Sequence, residues 1–543
     1  MDHQEQQAES VFSKKQIAME VVAIFAVYGT MAYFVQTLGN ARPKIAADLN
    51  GLPLYAWSVS IPSLVSAFVT LIFGKLSDIY GRRIMLLISV IFALIGTVLG
   101  ALSPNYVFLI VAGVIAAFGT GAMMPLVFAV VGDIFPPSRR SKWIGLLNIP
   151  TGIFSLIGPT MGGWFVDHLS WRYLYWLMLP LLVVCLITVP IGVPSLISTN
   201  AKRKIDVLGC ILVAIASSTA IIGFSFAGDK YPWGSPQIIG LLGISLLFWI
   251  LFFRTENRVE EPVLDPVVLR NRSFLTVAIA TFFSFFGQMG MLMYFPMFLQ
   301  GVQGISTTRS GQIITPLSVL MSFIGVPVGF ILGRSKRFKW MYILGFGILT
   351  VDMFGIIFFS AQTPIAWCVA AAAIAGVGLG AVPTVNTLVV QNSVPRRLLG
   401  VAMGAMFFSI MMGVAISPAL LGPAMNVGYR RVIDASLPNG LTQVVDEATI
   451  KSLRDPRVLL SGKAMSALEQ SLNKRGSEGR SLFVQTVQAV RISTEAGLRS
   501  VFWIGAVTML LAFLIISTIP ETSMEEVQEK ESLQSVPVQQ AVD

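Results

Sequence analysis

The sequence predicts an all-α protein that crosses a membrane many times. Of its 543 residues, 55% are hydrophobic and only 12% charged, with a mean hydropathy of +0.75, and a water-exposed surface needs far more charge than that. Apolar runs of about twenty residues, long enough to cross hydrocarbon as a helix, recur along nearly the whole chain. The weak alternation over about ten residues that marks membrane barrel strands is absent.

Spans are expected near 17–38, 55–74, 84–102, 106–133, 143–165, 172–192, 206–227, 236–253, 273–299, 311–333, 339–360, 365–391, 400–424 and 498–519. The first follows Lys14-Lys15; it is too long for a signal-peptide core and lacks a small-residue cleavage pattern, so it reads as a retained helix. The second and third flank the charged run Gly74–Arg83, and the fourth ends at Asp133. The fifth follows Arg139-Arg140 and carries closely spaced glycines, and the sixth opens at Trp171-Arg172. Asp206-Val207-Leu208-Gly209 opens the seventh; Trp233-Gly234-Ser235-Pro236 precedes the eighth, and Glu256 and Arg258 follow it. The ninth closes on Phe298-Leu299-Gln300, the tenth meets Arg334, the eleventh starts at Lys339, and Arg396-Arg397 separates the twelfth from the thirteenth. A long polar stretch at 426–497 precedes the fourteenth.

An even number of spans puts both termini on one side. The links on that side carry Lys14-Lys15, Arg82-Arg83, Arg139-Arg140, Lys202-Arg203-Lys204 and Arg396-Arg397, among others, whereas the short links opposite carry only Arg42, Lys44, Arg172, Lys230 and Arg309. The positive-inside rule therefore places the termini in the cytoplasm. The formal charge of +10 and pI near 9.6 sit in these links, which argues for membrane orientation and against nucleic acid as a partner. Cys185, Cys210 and Cys368 lie in apolar stretches without paired spacing, and His3 and His168 are the only histidines, so neither disulfides nor a metal site is expected.

Landmarks repeat at an offset near 255 residues. Pro43 matches Pro296, Gly74–Arg83 matches the degraded run Gly329–Phe338, Gly119 matches Gly378, Pro137 matches Pro395, and Gly158-Pro159 matches Ser417-Pro418. The repeats imply parallel six-helix halves with a site between them near the midplane. The expected organisation is a cytoplasmic N-terminus at 1–16, a six-helix bundle at 17–192, an inserted helix pair with its flanking links at 193–272, a second bundle at 273–519 that includes the outer segment 426–497, and a cytoplasmic tail at 520–543. The outer segment is read as a packed cap or as a gate at the outer mouth, with Arg480–Arg499 extending the last span outward as an amphipathic helix.

Two runs carry the functional reading. Gly74-Lys75-Leu76-Ser77-Asp78-Ile79-Tyr80-Gly81-Arg82-Arg83 crowds charge into a link that two glycines allow to turn tightly. Asp78 and Arg82 stand one turn apart, and Asp133 lies at the same membrane level, either as their partner or as a helix-end charge facing water. In the fifth span, Gly152, Gly158, Pro159, Gly162 and Gly163 form a small-residue face that lets helices approach, with Gly158-Pro159 able to bend the backbone.

The first run strongly resembles the G-x-L-x-D-x-x-G-R-R loop between helices 2 and 3 of the major facilitator superfamily. The second, followed by Trp171-Arg172, resembles that superfamily's antiporter motif, which belongs to exporters. With Asp206–Gly209, the Trp233–Pro236 run and Phe298–Gln300, the whole chain looks like the fourteen-helix drug:proton antiporter group. The resemblance implies a major facilitator fold of two six-helix halves plus two inserted helices. It assigns Gly74, Asp78, Gly81, Arg82, Arg83 and Asp133 to a charge relay that locks the inner gate. It also implies a cavity lined chiefly by spans 1, 4, 9 and 12. Two departures stand out. The aspartate usual in helix 1 falls on Phe34, and the arginine and glutamine usual in helix 4 fall on Ile115 and Phe118.

The remaining acids that could carry a proton are Asp352 in mid-span 11, Glu20 near the inner end of span 1, where it could simply face water, and Asp133. A protonated Asp352 donating one structural hydrogen bond is the competing reading. The cavity spans offer Tyr28, Tyr33, Gln36, Asn148, Gln288, Tyr294, Asn386 and Gln391 as polar points. Phe34, Phe118, Met123, Met124, Phe286 and Met289 offer soft apolar surface, which suits neutral or weakly charged lipophilic molecules of varied shape.

The expected function is proton-coupled export of lipophilic small molecules by alternating access, by a monomer embedded in the lipid bilayer of a bacterial inner membrane. No cofactor is expected. A lipid or glycolipid flippase is the rival within transport. A membrane sensor or enzyme is the rival outside it, although no cofactor loop or nucleophile–base pair supports catalysis.

Overall fold

The computed structural model describes residues 14–38, 45–46, 48–49, 54–135, 137–193, 206–228, 230–259, 262–335, 337–438, 441, 445–446, 449–450, 453–454, 462–473 and 476–520. Pro43 and nearly all of the expected terminal segments lie outside these residues. The described residues are helical throughout, apart from turns and one bridge between Ala227 and Tyr231.

The helices in chain order are α1 (Lys14–Tyr33), continued by a π-helical turn at Phe34–Leu38, α2 (Tyr55–Tyr80), α3 (Arg82–Ala101), α4 (Tyr106–Ile134), α5 (Pro137–Leu146), α6 (Asn148–His168) and α7 (Arg172–Gly192). The inserted pair is α8 (Val207–Phe226) and α9 (Pro236–Glu256), followed by the short α10 (Pro266–Arg270). Then come α11 (Arg272–Met289), with π-helical turns at Gly290–Tyr294 and Phe298–Val302, α12 (Thr307–Phe323), α13 (Gly325–Ser335), α14 (Lys339–Ile357), α15 (Ile365–Ser393), α16 (Leu399–Ser436), α17 (Gly462–Asn473) and α18 (Gly476–Ser517). Twelve helices among the described residues are long and apolar enough to cross a membrane; α1 adds a shorter apolar stretch, Ala18–Tyr33, and α6 occupies the other expected position.

Side-chain caps start several helices where polar residues precede apolar runs. Asn105 accepts from the Phe108 N–H, Asp206 from Gly209, Ser235 from Ile238, and Asn271 from Phe274, each satisfying a backbone donor of the first turn. Gly81, at φ 90°, separates α2 from α3, a conformation that disfavours any residue with a Cβ. The expected fifth span is two helices, because Leu147 interrupts it and Asn148 Nδ2 donates to the Ile144 and Gly145 carbonyls at the break. The tenth breaks likewise at Ile324, and the two breaks face each other, with Asn148 against Gly325.

Contacts tie α1–α7 into one set and α11, α12, α13, α14, α15, α16 and α18 into another. The sets meet along α2–α16 and α5–α13. These two junctions mirror each other at the repeat offset. A Cβ on Gly74 of α2 would strike the Gly400 carbonyl and stand 3.1 Å from Gly404 Cα of α16. A Cβ on Gly329 of α13 would strike the Ser141 carbonyl and stand 3.0 Å from Gly145 Cα of α5. Such close backbone approach is open only to glycine. Prolines repeat as well, Pro62 in α2 with Pro316 in α12, and Pro125 in α4 with Pro383 in α15.

The inserted pair packs on itself, and α8 also touches α2 and α16. α9 turns Ile239, Leu246 and Leu247 outward, as a lipid-facing helix does. At the far end, α16 and α18 extend well beyond the spans expected for them. With α17 they enclose a separate small core of Tyr429, Ile433, Leu468, Leu472 and Val490, and the Tyr429 hydroxyl donates to the Leu453 carbonyl at 2.5 Å. Residues 426–497 thus contain a packed element.

Candidate functional site: a charged junction beside an apolar cavity

The Gly74–Arg83 run ends α2, turns at Gly81 and begins α3. Arg82 points back along α2. Its Nη2 lies 2.6 Å from Asp78 Oδ1, its Nε donates to Asp133 Oδ2 at 2.8 Å, and its Nη1 donates to the Ser77 hydroxyl. The Asp78 side chain is 2% exposed, that of Arg82 7%, and that of Asp133 15%. This is a buried, hydrogen-bonded triad, and removal of one member would strand a charge out of water, at a cost well above that of breaking a surface ion pair. Asp133 therefore partners the loop and does not simply face water.

Asp78 also reaches across to the other helix set. Its Oδ1 accepts from the Gly400 N–H at 3.0 Å and its Oδ2 from the Val401 N–H at 2.9 Å, both in the first turn of α16. A carboxylate there meets unpaired donors and the positive end of the helix dipole. Gly74 supplies the close approach that makes these contacts possible. Arg83 is partly exposed and stands apart from them.

Further bonds close the same end. Gln391 Nε2 donates to the Phe128 carbonyl at 2.5 Å, and the fully buried Arg140 donates through Nη1 to Asn392 Oδ1 at 3.1 Å and through Nε to the Phe135 carbonyl at 2.8 Å. Neither the α16 backbone donors nor Asn392 was visible as functional in the sequence; the only signal was their position just before and just after the Arg396-Arg397 link.

Deeper in the bundle, a cavity of about 290 Å³ lies between α1, α2, α4 and α16. Met31, Phe34 and Leu38 line it from α1, Ser58, Ser66 and Thr70 from α2, Tyr106, Thr120 and Met124 from α4, and Phe407 and Met411 from α16. None of its lining residues is charged. One side is sulfur and aromatic, and the other carries a row of hydroxyls.

The expected cavity residues divide. Phe34 and Met124 line it. Met123 is fully buried in the core, and Phe118 packs against Phe68 and Phe92 at 6.3 and 5.7 Å. Tyr28 meets Phe128 edge-on at 5.7 Å, and Tyr33 donates its hydroxyl to the Leu174 carbonyl at 2.8 Å. Asn148 serves the helix break, Asn386 donates to the Thr281 hydroxyl at 2.8 Å, and Gln391 closes the junction end, so these three are structural contacts away from the cavity wall. Phe286 packs on Phe282 at 5.8 Å, Gln288 and Met289 are partly buried on α11, and Tyr294 sits in the adjoining π-helical turn. The side chain of Gln36 lies outside the described residues.

In the second motif, a Cβ on Gly152 would stand 2.7 Å from the Phe323 ring, and one on Gly162 2.9 Å from the Thr37 carbonyl. Gly158 is buried, and the Ser155 and Ser322 hydroxyls bond across at 2.9 Å. The run thus seats α6 against α1 and α12; the surroundings of Pro159 and Gly163 lie outside the described residues.

Of the two readings of Glu20, proton carrier or water-facing helix end, burial speaks against the second. Glu20 is 1% exposed, packed into the bundle and not facing water, and its Oε2 has no hydrogen-bond partner among the described residues. Asp352 is likewise buried on α14, with Oδ2 unpartnered among the described residues. Ile115 is partly buried on α4. Among the described residues no cluster of three metal-ligating side chains occurs.

Residues 24–418 match the family model described as Major Facilitator Superfamily. The chain is 30% identical over 412 residues to the multidrug transporter protein MdtP of Bacillus subtilis strain 168, covering 75% of this chain and 74% of that protein. It is 28% identical over 449 residues to multidrug resistance protein 3 of the same strain, covering 81% and 85% respectively. Among solved structures, the human organic anion transporter MFSD10 (TETRAN) superposes with a TM-score of 0.58 at 13% identity, over 92% of this chain and 99% of that one. A family match across most of the sequence, joined to this helical architecture, makes the chain a member of the major facilitator superfamily.

Proposed function

We propose that this multi-pass membrane protein exports lipophilic small molecules by alternating access, with its termini in the cytoplasm. The proposed bilayer is a bacterial inner membrane, a reading supported by the bacterial source of the two relatives. In this reading the bundles at 17–192 and 273–519 rock about the shared cavity, and the protein works as a monomer. The observation that carries it is the Asp78 carboxylate pinned to the first turn of α16 beside an uncharged cavity. A bond network that joins the two helix sets through a few hydrogen bonds can be made and broken as access alternates. The names of MdtP and multidrug resistance protein 3 support drugs as the cargo.

Protons are the proposed driving ion. Phe34 and Ile115 stand where the antiporter group carries charge, so the candidate carriers are Glu20, Asp133 and Asp352. A cavity without charged walls favours neutral or weakly charged amphiphiles over dications.

The test is accumulation of a panel of lipophilic dyes by inverted membrane vesicles, with and without an imposed proton gradient. Gradient-driven dye accumulation is the expected result. Dye movement indifferent to the gradient would reject proton exchange, and lipid translocation without dye movement would replace the drug reading with that of a flippase.

A further inference from the structure

The cavity has two unlike walls. Phe34 of α1 and Phe407 and Met411 of α16 make one of them apolar. Ser58, Ser66 and Thr70 of α2 and Tyr106 and Thr120 of α4 make the other a row of hydroxyls. The three α2 residues recur at multiples of four, which sets them on one face of the helix over about 18 Å. Gly121 lets α4 lie against that face: a Cβ there would stand 2.8 Å from Ser66 Cα. The hydroxyls of the two helices therefore share one surface.

Where the protons of this wall go decides what it can recognise. A hydroxyl carries one proton and two lone pairs. The Tyr106 hydroxyl donates to Ser58 Oγ at 2.7 Å. The Thr70 hydroxyl donates to the Ala67 carbonyl at 2.7 Å, and the Thr120 hydroxyl to the Ala116 carbonyl at 3.1 Å. All three protons are engaged inside the protein, so these side chains can offer the cavity only lone pairs. Among the described residues, no lining side chain is an amide, indole, imidazole, ammonium or guanidinium, and the thioethers are weak acceptors. Pro125 of α4 has no N–H for the carbonyl of Gly121, itself a lining residue, which adds to the excess of acceptors.

The cavity is thus rich in acceptors and poor in donors. A cargo N–H or O–H that leaves water finds a partner there. A cargo carbonyl or ether oxygen does not, and the loss of its water weakens binding.

We propose that this wall selects amphiphiles that carry N–H or O–H groups along one edge over equally lipophilic molecules that carry only acceptors. Thr70 and Thr120 determine the choice, while Phe34, Phe407 and Met411 hold the apolar face of the cargo whatever its polar edge. The inference rests on the export reading above and narrows its cargo to a chemical class.

Two neutral coumarins test it. 7-Amino-4-methylcoumarin has an N–H donor; 7-dimethylamino-4-methylcoumarin has the same ring and lactone but no donor. Each competes with the accumulation of a lipophilic dye by inverted vesicles that contain the full-length protein. Inhibition constants are expressed on the membrane-bound concentration, read from coumarin fluorescence, so that partition into lipid cancels. The amino form should compete about tenfold more strongly, the order of one satisfied hydrogen bond. Thr120→Val and Thr70→Val keep the side-chain outline and remove the acceptor, and each should cut that preference by about threefold to tenfold. If Thr120→Val fails to fold, Thr70→Val carries the comparison. Met411→Ala, on the apolar wall, should weaken both coumarins alike and keep the preference. Equal competition in the parent, a preference that survives both threonine substitutions, or one abolished by Met411→Ala would overturn the inference. So would dye accumulation that neither coumarin inhibits. If no lipophilic dye accumulates at all, the export reading fails, and this inference with it.

Discussion

The Asp78 carboxylate on α2 accepts the backbone N–H of Gly400 at 3.0 Å, joining residues 322 positions apart in the chain. The same oxygen meets Arg82, which in turn meets Asp133. One side chain therefore satisfies the start of α16, fixes the turn after α2 and organises the end of α4.

Replacing Asp78 by asparagine keeps one acceptor oxygen and removes the charge that Arg82 and the α16 dipole require. The closed arrangement should weaken by about 1–3 kcal/mol, a tenfold to hundredfold shift toward the open form. Dye efflux should collapse while the protein still inserts and elutes normally. Retained efflux at wild-type rate would remove Asp78 from the gate.

Gly74 and Gly329 make mirrored backbone contacts, so a methyl group at either should act as a wedge. Gly74→Ala and Gly329→Ala should each destabilise the closed junction by about 1–3 kcal/mol, as overpacking does elsewhere. The readout is reaction of a cysteine placed at Thr70 in the cavity with a membrane-impermeant thiol reagent applied from the cytoplasmic side. Both variants should react faster than the parent; protection equal to the parent in Gly74→Ala would show that the contact yields without cost.

Phe34 stands on the cavity wall where the antiporter group carries an aspartate. Phe34→Ala should remove aromatic contact and raise the KM for neutral dyes by about tenfold, the order expected for loss of 1–2 kcal/mol of apolar burial. The maximal rate should change little, since the gate is untouched. A fall in rate at constant KM would place Phe34 in the conformational step and not in binding.

Asp352 and Glu20 are buried acids with an unpartnered oxygen. An acid without a partner destabilises its surroundings, so Asp352→Leu should raise the thermal unfolding midpoint, a gain of about 1–3 kcal/mol, whereas a lowered midpoint would show a structural hydrogen bond. Gradient-driven transport should then persist in Asp352→Asn. Loss of the gradient response in that variant, with folding intact, would instead make Asp352 a proton carrier.

The architecture was legible because bilayer thickness imposes a length on every span, and helices stand at each of the fourteen expected positions. The Asp78–Arg82–Asp133 cluster was legible because charges of opposite sign sat at one membrane depth. Its partners on α16 were not, since backbone N–H groups leave no residue signature. Of the expected polar cavity points, Tyr33, Asn148 and Asn386 bond to carbonyls and hydroxyls within their own helix set, and Gln391 bonds across to the Phe128 carbonyl. A polar residue in hydrocarbon needs a hydrogen-bond partner whether or not cargo is nearby, so polarity alone does not mark a wall. Glu20 stood between a proton carrier and a water-facing end because the sequence does not reveal which face of a short first helix packs inward.

The π-helical turns at Phe34–Leu38 in α1 and Gly290–Tyr294 beyond α11 fall at matching places in the two repeats. Each holds one more residue than the cylinder around it needs, so each helix stores a small surplus of backbone there. Such a surplus can migrate along a helix as a dislocation moves through a lattice, turning the side chains it passes without unwinding the rod. Two of them, at matching places in the repeats, would give each helix set a way to turn its side chains without tilting as a rigid body.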